Sequence, residues 1–215
     1  MRLHHALLTS ALTAAVAGPA CAGFTLTNST PGLFDFSSGT RTITVSGAET
    51  GFSSTVSDLN VRIDFEKFDG PSLGVNEGGT PFYNEMAFIL TSPANESVTL
   101  IGINSFISGF GGFRGVINFD QQAASAVNVN PTTPQAGSFR PIGDLNNYNS
   151  DSTLGTWTLF IQDAAPSDHL GFYSVSLDFN GGAAASTDVP EPSTLMLGLF
   201  ALGVLPVARR IRRAK

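Results

Sequence analysis

The sequence predicts an all-β domain built as a two-sheet sandwich, with a short apolar segment of a different kind at each end. Three observations carry this expectation. Apolar and polar residues alternate in several short runs, Gly, Pro, Asn and Ser punctuate those runs, and no window between the two ends shows a helical stripe. In SDLNVRIDF, residues 57–65, Leu59, Val61, Ile63 and Phe65 alternate with Asp58, Asn60, Arg62 and Asp64. A strand with that pattern puts the first set on one face and the second on the other. Short strands with one apolar face each are stable when two sheets bring those faces together.

The other strands are expected, in order, at RTITVS (41–46), EMAFILT (85–91), VTLI (98–101), GVINF (115–119), TWTLFIQ (156–162) and YSVSLDF (173–179). The 17 phenylalanines and Trp157 supply bulk for the core. The folded part is expected to span residues 23–180, a size that suits one domain. Residues 181–188, GGAAASTD, read as a flexible linker.

The N-terminal 22 residues have Arg2 in a short basic region, an apolar run over 6–17, a break at Gly18-Pro19, and Ala20-Cys21-Ala22. That pattern predicts a signal peptide cut between Ala22 and Gly23. Cys21 also invites a lipoprotein reading, although Gly18-Pro19-Ala20 lacks the branched apolar residue of a lipobox. If the cut falls before Gly23, the only cysteine leaves, and with it any disulfide, thiol nucleophile or thiolate ligand.

At the other end, Val189-Pro190-Glu191-Pro192-Ser193 precedes an uncharged segment, 194–208, and a basic tail, 209–215. The apolar segment is shorter than the roughly 20 residues that cross a bilayer, and Gly198, Gly203 and Pro206 weaken it as a helix. It reads as a short apolar helix that spans the membrane transiently. Arg209, Arg210, Arg212 and Arg213, with Lys215, would hold that end on the cytoplasmic side and leave the body of the chain outside. An ordinary tail anchor is the alternative.

Charge divides along the same lines. Residues 23–188 hold five basic residues (Arg41, Arg62, Lys67, Arg114, Arg140) against sixteen acidic ones, a net −11, whereas the whole chain carries −6. A surface so acidic repels phosphate backbones, so nucleic acid is not an expected partner.

Catalytic groups are sparse. His169 is the one histidine of this region, in the turn-like APSDHLG, where it reads as a solvated loop residue. One histidine without cysteine does not supply a usual zinc site. Asp64 and Glu66 share a strand face in a spacing that glycosidase carboxylates can use, but such acids more often solubilise an exposed strand. Calcium suits the oxygen-rich loops better, with Asp144, Asn146, Asn147, Asn149 and Asp151 in one, and Asp163 and Asp168 in another. Turns also favour Asp and Asn for backbone reasons, and no EF-hand spacing is present. No cofactor is required by these residues, and calcium is a possible one. The loop NSFISGFGGFRG, 104–115, offers Phe106, Phe110 and Phe113 either for stacking on sugars or as a plug at the edge of the sandwich.

Two resemblances extend this reading. Val189–Ser193, the apolar span and the Arg-rich end together resemble the PEP-CTERM sorting signal of Gram-negative bacteria that make exopolysaccharide. The resemblance implies that signal peptidase and an exosortase process the chain, the latter at Pro190, Glu191 and Pro192. It further implies transient anchoring in the inner membrane and delivery to the cell surface or extracellular matrix. Second, residues 136–179 are similar to the C-terminal half of the P domain that accompanies subtilisin-like proteases. Gly137, Phe139, Pro141, Gly155, Trp157, Leu159, Asp163, Asp168 and Gly171 fall on that pattern, and residues 57–65 and 90–101 look like upstream strands of it. This implies a jelly-roll, galactose-binding-like β-sandwich. The chain departs from the pattern at Asn84-Glu85-Met86, at Val175, at Phe68 and in an extra loop over 68–84. Too few residues precede Ser57 for a protease domain. The expectation is therefore a non-enzymatic structural or binding protein of the envelope or matrix. The alternatives are an accessory module of a separate protease and a diverged carbohydrate-active enzyme.

Overall fold

The computed structural model of the chain describes residues 23–107, 111–130 and 132–180. The expected signal peptide, the linker and the sorting segment lie outside them, with Pro190, Glu191, Pro192 and the arginines 209, 210, 212 and 213. Among the described residues, no helix is long and apolar enough to cross a membrane.

The described residues form ten strands: β1 (Phe24–Asn28), β2 (Gly32–Phe34), β3 (Ser37–Val45), β4 (Leu59–Phe68), β5 (Met86–Thr91), β6 (Ser97–Ile101), β7 (Phe113–Phe119), β8 (Gly137–Phe139), β9 (Gly155–Asp163) and β10 (His169–Phe179). Among the described residues, helix is confined to single 3₁₀ turns at Tyr83–Glu85 and Leu145–Tyr148. One sheet runs β1-β10-β4-β7-β8 with β2 also on β10, and the other runs β3-β9-β5-β6. The pairs are antiparallel except β7 with β8. β1 lies along the C-terminal half of β10 and β2 along its N-terminal half. Pro31, which has no N–H to offer a ladder, sits in the gap between them.

The sheets pack face to face over the alternating apolar residues. Val61, Ile63 and Phe65 of β4 meet Phe88 and Leu90 of β5 and Trp157, Leu159 and Ile161 of β9, all buried. Phe65 and Phe88 join the sheets with ring centroids 5.0 Å apart, and Trp157 and Phe179 do so at 5.3 Å. Burying aromatic rings of this size contributes about 1.5–3 kcal/mol each. Trp157 donates its indole N–H to the Thr153 carbonyl at 2.9 Å, so its polar atom is satisfied. Gly155, at φ +115°, opens β9 where a Cβ would lie 2.8 Å from Pro93.

The seven expected strands are all present, and several run longer than expected. β3 starts at Ser37 and β10 at His169, each four residues early, and β4 continues from Phe65 to Phe68. Alternation stops at Glu66-Lys67 because both faces of the sheet are covered there, and a covered polar residue does not read as strand-like. β1, β2 and β8 were not expected. They are short edge segments of three to five residues, too brief for a period to show.

The outer face of the four-stranded sheet is built in rows. Thr44 lies beside Thr156; Thr42, Thr158, Thr91 and Ser97 form a second row; Thr40, Phe160, Ile89 and Thr99 a third; Ser38, Gln162 and Ala87 a fourth.

Candidate functional site

Most of the domain's buried charge lies at one end of the sandwich, where β4 runs out. Strand alternation sends Lys67 inward with Phe65 and sends Glu66 outward. The Lys67 ammonium lies 3.0 Å from Glu85 Oε1, 2.7 Å from Asp163 Oδ2 and 2.9 Å from Asp168 Oδ2, and donates to the Asp168 carbonyl at 2.5 Å. Its side chain is fully buried. Asp163 closes β9, Glu85 ends the 3₁₀ turn before β5, and Asp168 precedes β10, so one lysine ties both sheets and two loops together.

Three carboxylates thus share one cation. Burial pulls the Lys67 pKa down, but the hydrogen bond and charge of Asp163, then those of Asp168, outweigh it and leave the group above the ordinary lysine value. Burial raises Asp163 to about 6, against the pull of Lys67. Burial, then hydrogen bonding to Asp168, raises Glu85 to about 7. A raised lysine and raised acids agree once the surplus of negative charge is counted: the site keeps the ammonium and favours a proton on one carboxyl.

On the outer side, Glu66 is fully buried beneath residues 68–84. Its carboxylate accepts from Gly74 N at 2.6 Å and Tyr173 Oη at 2.7 Å, and lies 3.1 Å from His169 Nε2. His169 Nδ1 is 2.6 Å from the Gly70 carbonyl. Both ring nitrogens thus have an oxygen partner within hydrogen-bonding distance. Arg114 stacks over Tyr173 at 3.9 Å and pairs in a fork with Asp64. Gly171 lets β10 pass beneath this cover, since a Cβ there would lie 2.6 Å from both Glu66 and Leu73.

This geometry corrects two expectations. His169 is not a solvated loop residue; it is 1% exposed and opens β10. Glu66 is not a solubilising acid on an open face. The sequence does carry a retrospective signal: Glu66-Lys67 ends one strand and Asp168-His169 begins its neighbour, with Lys67 meeting Asp168 on one side and Glu66 meeting His169 on the other.

The calcium candidates fall into two places. Asp163 and Asp168 come together around Lys67, which supplies the cation there. Asp144 Oδ1 caps the 3₁₀ turn by accepting from Asn146 N at 2.9 Å. Asn146 Oδ1 accepts from Asn149 Nδ2 at 3.3 Å, and Asp151 lies at the end of the same loop. Among the described residues, no group of three or more His, Cys, Asp and Glu is arranged to hold a metal ion. In the loop 104–115, Phe106 and Phe113 are buried in the core, which favours the plug over the sugar platform, while Phe110 lies outside the described residues.

Comparison with known proteins bears mainly on the C-terminus. Residues 188–213 match the PEP-CTERM protein-sorting motif, which marks exported proteins for exosortase sorting. No curated protein matches the chain by sequence. The crystal structure of a serine protease of Aeromonas sobria is similar over 72% of this chain and 27% of its own, at 13% identity and a TM-score of 0.31. The chain thus spans about a quarter of that protein's length.

Proposed function

We propose that this is an exported protein whose C-terminal signal delivers a non-catalytic, P-domain-like jelly-roll β-sandwich to the cell surface or extracellular matrix, where the sandwich serves a structural or binding role. The sorting motif at 188–213 is the observation that carries the reading. The P-domain pattern adds to it, because its residues have structural work here: Gly155 clears Pro93, Trp157 and Leu159 fill the core, and Asp163 and Asp168 hold Lys67. A non-catalytic role fits the buried histidine, whose ring nitrogens face a carbonyl and a carboxylate and whose surroundings are closed by residues 68–84.

The test is the intact mass and location of the protein in its host, with and without Pro190, Glu191 and Pro192 replaced by alanine. The expected native product starts at Gly23, ends near Val189 and lies outside the inner membrane, and the triple variant keeps its basic tail in that membrane. A wild-type protein that keeps the tail would reduce 194–215 to a plain anchor and remove the main support for the matrix role.

A further inference from the structure

We propose that the outer face of the four-stranded sheet, with Phe36 at its corner, is a binding surface for a neutral polysaccharide. This rests on the matrix role proposed above and names the class of polymer held. The first observation is an absence of charge in a place where charge would be expected. Residues 23–188 carry 21 ionisable Asp, Glu, Lys and Arg side chains, yet the strand register puts none of them on this face. Exposed strands of acidic domains ordinarily carry part of that charge for solubility and to discourage edge pairing.

Hydroxyl rows take its place. Thr40, Thr42 and Thr44 of β3 are exposed and lie beside Phe160, Thr158 and Thr156 of β9. A hydroxyl both donates and accepts, so such rows match the hydroxyls of a sugar in either sense. Thr44 and Thr156 already bond each other at 3.1 Å, as do Thr91 and Ser97 at 2.8 Å, which orients the rows while leaving lone pairs outward. Phe160 and Ile89, paired at the centre of the face, are flanked by hydroxyls on both sides, Thr40 and Thr99 in their own row and Thr42, Thr158 and Thr91 in the next.

At the corner, Phe36 is 69% exposed and sits at φ +47°. A bulky side chain in the left-handed region is strained, and an exposed ring recovers little of that strain by burial. The conformation is fixed by Phe36 N donating to the Ala165 carbonyl at 3.1 Å and by Ser167 N donating to Asp35 Oδ1 at 3.0 Å. The ring borders an open pocket of about 180 Å³ with Ser37, Ser38, Gln162 and Ala164; Asp163 also lines it, but its side chain is buried and paired with Lys67. An aromatic face beside neutral hydrogen-bonding groups suits the C–H face of a sugar ring with its hydroxyls bonded at the rim. Charge selects the polymer: a domain at −11 repels an acidic polysaccharide, and an uncharged face is matched by an uncharged chain.

The test uses the protein purified from its host and the host's own exopolysaccharide, separated into neutral and acidic fractions by anion exchange. Retention by each fraction is measured for the wild type, Phe36→Gly, Thr42→Lys and Leu154→Ala. Phe36→Gly removes the ring while relieving the backbone, so its fold is not at risk. Leu154, also exposed, lies before the far end of β9 and serves as the control. We expect retention by the neutral fraction, at least tenfold weaker in Phe36→Gly and Thr42→Lys and unchanged in Leu154→Ala. Equal retention of all variants, no retention by the neutral fraction, preference for the acidic one, or retention abolished by protease treatment of the polymer would each overturn the proposal. Intact mass on the same samples keeps the readings apart: correct processing without binding defeats this surface alone, and binding without processing defeats the sorting role alone.

Discussion

Lys67 shows how much of this fold rests on one side chain. A buried ammonium is costly unless its protons are matched, and here Glu85, Asp163 and the Asp168 carbonyl accept all three. Lys67→Met fits the volume but leaves carboxylates facing each other in the interior. We expect it to lose about 3–5 kcal/mol, the cost of leaving buried charge uncompensated, read as a lower urea midpoint. A loss below about 1 kcal/mol would mean the cluster is wetter or looser than its geometry. Because the lysine is a built-in cation, calcium and a chelator should give the wild type the same thermal midpoint; a rise with calcium would reveal a different site. None of this was legible beforehand. A lysine next to a glutamate reads as solvated, and nothing in the local sequence says that two loops will close over that end.

At the scale of elements, legibility followed burial asymmetry. β9 was plain because Trp157, Leu159 and Ile161 face a core while Thr156, Thr158 and Phe160 do not, so period two survives in the sequence. The end of β4 was hidden because both faces are covered, and β1, β2 and β8 because three to five residues hold too few repeats. The candidate site sits in that hidden part, which is why Asp163 and Asp168 could be picked out as a pair without the lysine between them. The junction of β4, β5 and β9 also sets a pH dependence. Glu85, raised to about 7, and Asp163, raised to about 6, bind more protons folded than unfolded, where such groups titrate near 4. Stability should therefore fall as pH rises from about 4 to about 7. Lys67, raised in the folded state, contributes equally across that window, since its stabilisation is lost only as pH rises from the ordinary lysine value through its higher folded value. Thermal midpoints at pH 5 and pH 8 check this: the wild type should melt lower at pH 8, and Glu85→Gln should lose most of the difference. A flat wild-type profile would refute the shared proton.

For the whole molecule, what matters is how charge is distributed. The sequence carries basic residues at both ends and an acidic middle, so residues 23–188 taken alone carry −11 where the whole chain carries −6. Within that domain the charges avoid one broad face, the threonine rows of the second sheet. Long-range repulsion would then keep copies apart in dilute salt, while contact through the uncharged face would be made by hydroxyls and rings. These two forces answer to salt differently. Screening shortens electrostatic reach from about 30 Å at 0.01 M to about 3 Å at 1 M, and leaves hydrogen bonds and stacking nearly untouched. Retention by a neutral polymer should accordingly change less than about twofold between those salt concentrations, whereas a contact through Arg62, Arg114 and the acids of the opposite sheet should weaken severalfold. A steep salt dependence would move the binding surface to that charged sheet, and Thr42→Lys, on the other sheet, would then leave retention nearly unchanged.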